Sequence, residues 1–568
     1  MKFKDLNVGY TPRQYPLPGI LTGFKTMLVA SAGQFVALLC LAPKPGFDRV
    51  IDQIATWDAI KSFAWEAHGQ LRLSTSLAVG VVAGVVALRH AWKHTPLMEP
   101  FTRLDEDDPR VFYGEDAQHD LRNRLFNEAG WEAQHGLYLA PHFVLPRPAE
   151  LKNILLVGTP NSGKSNIIRA LIDQAIERGD RLLILCNKGD MTQSFSADEA
   201  ILIAPHHADS YVLDLAFDIS DAAAAMQFAV DIIPRSTPPF WSDSARLIFV
   251  DILLNEIVTR GSNWTARTLL DATLQDSETI RRATRKIDLS AGALLAGGGA
   301  EGEDKTVAGI LATMRSAAFA NLRFLAWASE STPQHRRFSV KRWLAKGYTG
   351  PLTVIAQFSP EHEELSTLVI GGLLKRIVLR LTDPIVPIDP RRRVLLALDE
   401  FDSLQKIEGL DGALAKGREK GLYIILGIQN VDQVIKKYGR ELANVIFGLF
   451  QIKIYGRLEP GDGAALVSEW MGKRHVSALV KNRAPAADDK RRLVEERRDI
   501  ATYSASRLAK RLGLNKENPQ AIVRAAIHCY GQVYEMEWPL TLWNKKREGY
   551  IPASWIKRIP QSDPHRKK

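Results

Sequence analysis

A chain of 568 residues with 46% hydrophobic and 24% charged side chains has room for two to four domains and is too apolar to be disordered. Its formal charge of +10 and pI near 9.3 suit a polyanion or an anionic membrane surface, although basic runs such as Arg281–Lys286 and Lys490–Arg498 read first as solvated faces. Cys40, Cys186 and Cys529 are far apart, with no Cys-x-x-Cys spacing. That argues against a disulfide framework and a zinc site, and for a reducing compartment.

Two apolar segments precede residue 95. The first, MLVASAGQFVALLCLA, runs from Met27 to Ala42 and extends back toward Gly19 if Lys25 snorkels; the second is apolar from about Leu73 to Leu88 and then turns basic. Each strictly apolar core falls slightly short of the roughly 20 residues of a spanning helix. The alternatives are a signal peptide or buried core helices. The pattern predicts a membrane anchor over 1–95 with transmembrane helices at about 21–42 and 72–91, and Gly80-x-x-x-Gly84 offers a small-residue face for close helix packing.

Residues 95 to 150 are polar and mixed, and LDEDDPR (Leu104–Arg110) reads as a linker. Next comes NILLVGTPNSGKSN. Asn153–Val157 predicts a short buried strand, and Asn166–Arg178 a helix that ends at Gly179. Between them Gly158, Thr159, Pro160, Asn161, Ser162, Gly163, Lys164 and Ser165 fit the P-loop spacing. The glycines let backbone N–H groups curl toward a phosphate, Lys164 offers a point charge to the β/γ oxygens, and the Ser165 hydroxyl can ligate Mg²⁺. ATP with Mg²⁺ is the expected ligand. A signal peptide would carry such a domain away from ATP, so the paired spans would leave the nucleotide domain and both termini cytoplasmic.

Short apolar runs follow: Arg181–Cys186, Ile201–Pro205, Pro351–Gln357, Arg393–Asp399, Leu422–Ile428 and Phe450–Gly456. They suit a parallel sheet buried on both faces, with helices between. The exception is 221–345, rich in Ala, Leu and Arg with no convincing strand, which reads as an inserted all-α domain. The expected organisation is therefore an α/β P-loop fold split into 96–220 and 346–545 around that insert, with a basic tail at 546–568.

The run Val394–Leu398 ends in Asp399-Glu400, the form of a Walker B element: Asp399 reaches the Mg²⁺ shell and Glu400 can orient the attacking water. The next strand ends in Gln429, which can sense the γ-phosphate, hold the water or cap the following helix. Arg418 just precedes that strand, where a ring ATPase could use it as an arginine finger and a monomer would merely solvate it.

Together, GTPNSGKSN, PFWSDSARLIF (Pro239–Phe249) and ALDEFDSLQKIEGLDGALAKGREKGLYIILGIQNVDQVIKKYG make this chain resemble the type IV secretion and conjugation coupling proteins, the VirD4/TraD family. The likeness runs from the paired N-terminal segments to about Phe450. It implies a RecA-like motor with an all-α domain and a homo-hexameric ring. It also implies an inner-membrane, multi-pass ATPase that recruits a relaxase-bound DNA (the relaxosome) or a protein substrate and passes it to type IV secretion channel subunits. By the same likeness Glu400, Arg418 and Gln429 are catalytic, with Asp399 and Ser165 on the metal. The sequence departs from the family in Cys186-Asn187-Lys188-Gly189-Asp190, where many relatives have Asp-Pro-Lys-Gly, and in Pro160 inside the P-loop. An FtsK/HerA-like duplex DNA pump and a membrane receptor for protein effectors share the same core chemistry and stay open; an ABC transporter does not, since no Leu-Ser-Gly-Gly-Gln-like signature precedes Asp399.

Overall fold

The computed structural model describes residues 108–285, 301–389, 391–401, 409–481, 493–515 and 521–557, with short stretches elsewhere, among them 78–86. Most of the first predicted span, and nine residues of the second, lie outside the described residues. Among the described residues no helix is long and apolar enough to cross a membrane.

Seven parallel strands form the centre of an eleven-stranded sheet. From one edge they run Ala200–Ile203, Thr353–Gln357, Arg181–Cys186, Val394–Leu398, Leu422–Ile428, Ile154–Val157 and Ile452–Tyr455. Side chains alternate between the two faces, so Leu155 and Val157 join one core while Ile154 and Leu156 join the other. Both faces are covered, which is why these strands read as unbroken apolar runs.

The sheet is mixed rather than parallel throughout, a correction to the sequence reading. Beyond Ile452–Tyr455 lies an antiparallel hairpin, Ile522–Cys529 with Gln532–Pro539, and Val111–Tyr113 pairs parallel to its outer strand. Tyr530 and Gly531 turn that hairpin with φ of 53° and 66°, the left-handed pair that a two-residue turn needs to match strand twist. Charge hides these strands in the sequence. Glu535 and Glu537 are buried and take Arg511 at 2.7 Å and Arg524 at 2.8 Å, so paired charges interrupt the apolar pattern.

Most of the stretch read as a linker, Leu104–Arg110, lies outside the described residues, and residues 111–150 form regular structure. Helix Gly114–Ala129 buries Ala117, Leu121 and Leu125 at helical spacing, and the hairpin His135–Ala140/Phe143–Pro146 packs beside it on the same core. Asp108, from the acidic stretch, is itself buried and accepts a hydrogen bond from the His475 backbone at 2.5 Å.

The insert has a core of its own, built by Ala222–Ile232, Pro239–Arg260, Ala266–Thr273, Ser277–Arg285 and Glu301–Ser331 around Phe249, Trp264, Met314 and Leu322. Asp221 caps the first helix by accepting from the Ala224 N–H. Among its described residues the span also holds one short strand, Arg337–Phe338, where the sequence suggests none; it pairs with Val212–Leu213 as the chain returns to the sheet. Buried Asp218 secures this return by accepting from Ser339 Oγ (2.5 Å) and the backbone N–H groups of Val340 (3.0 Å) and Lys341 (3.1 Å).

The described part of the C-terminal segment, to residue 557, lies against the segments that follow strands Arg181–Cys186 and Ala200–Ile203. Gln193 O accepts from the Lys546 and Arg547 backbones, and Pro205 O accepts from Trp555 Nε1 at 2.8 Å.

Candidate nucleotide site

Three neighbouring strands set the site. Ile154–Val157 delivers the P-loop, Val394–Leu398 delivers Asp399 and Glu400, and Leu422–Ile428 runs between them and ends at Gln429. All three point their carboxyl ends to one side, where an open α/β sheet leaves its crevice.

The P-loop is shaped by close packing. A Cβ on Gly158 would lie 2.3 Å from Ser162 Oγ, and one on Gly163, at φ +91°, would lie 2.2 Å from Val523. Only glycine fits either place. Thr159 is tied to the Arg457 carbonyl by both its N–H and its hydroxyl, each 3.0 Å. Pro160 and Asn161 form the exposed crest, with Asn161 at φ 61°, a conformation asparagine tolerates. Pro160 therefore occupies the crest and leaves the backbone turn at Gly163 unaffected.

Helix Lys164–Glu177 starts at Gly163 and buries Ile167, Ile168, Leu171, Ile172 and Ala175. Its far end closes with Gly179 N–H to Ile176 O and Asp180 N–H to Ala175 O, Gly179 lying at φ +76°, a Schellman stop. The helix so held aims its free first-turn N–H groups and positive dipole end at the crevice.

Ser165 Oγ donates to Asp399 Oδ2 at 2.6 Å, and Lys164 Nζ lies 3.3 Å from Asp399 Oδ1. Asp399 Oδ1 also accepts from the Glu400 N–H at 2.9 Å, with Glu400 in the left-handed region at φ 53°. That turn aims the Glu400 carboxylate across the strand ends, where Gln429 Nε2 reaches Oε1 at 3.0 Å. So the structure brings together the P-loop, Asp399, Glu400 and Gln429. In chemical terms the cluster offers a hydroxyl and a carboxylate suited to a hard cation, an anion cradle and a carboxylate beside an amide to hold a water. Two observations fit a magnesium-nucleotide: the Ser162 hydroxyl, 1% exposed, has no hydrogen-bond partner among the described residues, and the Gly158 and Gly163 backbones admit no Cβ.

Arg418 is the exception. It sits exposed in the turn Gly417–Lys420, at the opposite end of the Leu422–Ile428 strand from Gln429, a separation of roughly 23 Å over seven strand residues. Its charge acts instead on Glu128 and Tyr530.

Two further residues belong to the cluster. A Cβ on Gly427 would meet Asp399 Oδ1 at 2.7 Å and Lys164 Cδ at 3.3 Å. A glycine inside an apolar strand is the available sequence signal for such a close approach. Lys188 Nζ donates to Glu400 Oε1 at 2.6 Å, and this bond is the largest cause raising the Lys188 pKa above its ordinary value. Nothing in the local sequence indicates that pairing, which joins residues 212 apart. Beside it the Cys186 thiol is pushed up to about 12, chiefly by burial, and so stays protonated.

Comparison with known proteins agrees with this arrangement. A family described as "Type IV secretion-system coupling protein DNA-binding domain" matches residues 138–512. The coupling protein TraD of Escherichia coli (strain K12) is 25% identical over 350 residues, which is 58% of this chain and 45% of TraD. The chain thus spans less than half the length of that relative. Among solved structures, the conjugative coupling protein TrwB without its first 70 residues aligns with a TM-score of 0.61 at 19% identity, over 80% of this chain and 98% of that one. TrwB in complex with ADP and Mg²⁺ aligns equally widely, with a TM-score of 0.60. The shared fold is a RecA-like α/β fold, and the family match covers well over half of the chain: this protein belongs to the type IV secretion-system coupling protein family.

Proposed function

We propose that this protein is a membrane-held ATPase that recruits a DNA–relaxase or protein substrate and drives DNA into a type IV secretion channel as a homo-hexamer. The observation that carries the reading is the Ser165–Asp399 pair at 2.6 Å beneath the P-loop, with Glu400 and Gln429 beside it. TrwB, of like fold, is known in complex with ADP and Mg²⁺ and with the ATP analogue ADPNP.

In this reading Gly158 to Ser165 cradle the phosphates, and Ser165 and Asp399 hold the metal. Mg²⁺, when bound, neutralises the phosphate oxygens on which charge develops. Lys164 adds a fixed positive charge at the same place. Glu400 orients the water and takes up its proton, and Gln429 holds the Glu400 carboxylate in position. Arg418, far from its own P-loop, serves the neighbouring subunit's site.

The domain plan follows: 1–95 as anchor, 96–220 and 346–545 as motor, 221–345 as helical insert, 546–568 as tail. Support for the anchor comes from residues 78–86, which are helical. Gly80 and Gly84 are buried there while Val79, Val81, Val82, Val85 and Val86 are each at least 44% exposed, as for a small-residue packing face in a lipid-facing helix. An inner-membrane location with a cytoplasmic motor goes with it. The basic charge and the helical insert suit a grip on phosphate backbone without sequence readout.

Steady-state Mg²⁺-dependent ATP hydrolysis tests the assignment. Lys164→Ala and Glu400→Gln each reduce turnover by at least about 100-fold, and Glu400→Gln still binds nucleotide. Turnover retained in either variant would overturn the reading.

A further inference from the structure

The turn after strand Arg181–Cys186 is held from three sides. Gly189 lies at φ +73° and packs so closely on Gly549 that a Cβ would meet the Gly549 carbonyl at 2.7 Å. Asp190 is held by Arg169 Nη2 of the P-loop helix at 2.5 Å, and it accepts from Cys186 Sγ at 3.4 Å. Gln357 Nε2 in turn holds Gly549 O at 3.1 Å.

From this fixed backbone Lys188 extends a flexible stem. Its side chain is 67% exposed although its ammonium is 2.6 Å from Glu400 Oε1, and Glu400 itself is only 15% exposed. Ser165, Lys188, Asp399 and Glu400 line one cleft. Lys164 has Asp399 as its partner, so each acidic residue of the Walker B pair is bonded to a lysine, and of the two Lys188 lines the cleft.

An ammonium bonded to Glu400 uses a lone pair and neutralises the charge that water orientation requires. A terminal phosphate carries more negative charge than a single carboxylate and competes for that ammonium. We infer that Lys188 distinguishes nucleoside triphosphate from diphosphate, restraining Glu400 and exchanging to the terminal phosphate of a bound triphosphate. This rests on the ATP-binding reading above.

The test is equilibrium binding to the full-length chain in Mg²⁺, using ADP and the non-hydrolysable analogue ADPNP, for wild type, Lys188→Ala and Lys188→Arg. Wild type favours ADPNP over ADP. Lys188→Ala lowers that preference by roughly 10-fold or more, the size of a lost charge-assisted hydrogen bond, while its ADP affinity stays within about twofold, which also shows that the variant is folded. Lys188→Arg keeps most of the preference. An unchanged preference in Lys188→Ala, with ADP still bound, overturns the role of Lys188 alone. If wild type binds neither nucleotide, both this inference and the ATP-binding reading fail.

Discussion

Asp251 lies in the middle of helix Pro239–Arg260 within the core of the insert, 2% exposed, and its Oδ2 has no hydrogen-bond partner among the described residues. Burial pushes its pKa from 3.8 up to about 6. Between those values the folded state holds a proton that the unfolded state has lost. Stability from this group is therefore fully present below about pH 4 and falls as pH rises toward 6. Above that window the ionised carboxylate costs about 3 kcal/mol, from a shift of about 2 units at about 1.4 kcal/mol each. Asp251→Asn removes the charge and keeps the shape, although the amide remains a buried polar group, so the net gain at pH 7.5 is about 1–3 kcal/mol. Linkage makes the gain grow by about 1.4 kcal/mol between pH 5 and pH 7.5. Urea unfolding of wild type and variant at both pH values reads this out. A variant that is no more stable than wild type at pH 7.5, or a difference that does not depend on pH, would refute the argument.

Two other substitutions probe the nucleotide site. Gly427→Ala places a methyl 2.7 Å from Asp399 Oδ1, an overpacking cost of about 1–3 kcal/mol. The Mg²⁺ concentration for half-maximal ATPase rises by roughly 10-fold, and an unchanged Mg²⁺ titration would contradict the close approach. Arg418→Ala alone hydrolyses ATP poorly, but mixing it with Lys164→Ala restores turnover, since one variant supplies an intact site and the other an intact finger. Mixtures as inactive as their components would show that Arg418 does not act across subunits.

The parallel centre of the fold was legible because its strands are covered on both faces. Runs such as RLLILC and LYIILGI then lack the alternation of polar positions that a half-exposed strand or helix shows, and six runs marked in the sequence, with NILLV, supply the seven central strands. The outer hairpin was not legible, because Glu535, Glu537 and Arg524 find partners in one another, in Arg511 and in the Tyr503 hydroxyl, which meet only in the folded state. Helix Gly114–Ala129 was hidden by its polar majority, with few core positions to reveal its period. At the site, the P-loop and Asp399-Glu400 announce themselves by local spacing. Lys188 and Gly427 do not, since each matters through a contact with residues far away in sequence. The distance of Arg418 from its own P-loop is likewise a product of strand direction, invisible until the sheet is assembled.

If the proposed homo-hexamer assembles on the DNA it grips, ATP turnover belongs to an assembly that DNA promotes. The most direct measurement is the ATPase rate per subunit as a function of protein concentration, with and without single-stranded DNA. The account predicts a rate that rises with concentration and reaches its plateau at lower concentration when DNA is present. A rate per subunit independent of both would contradict it.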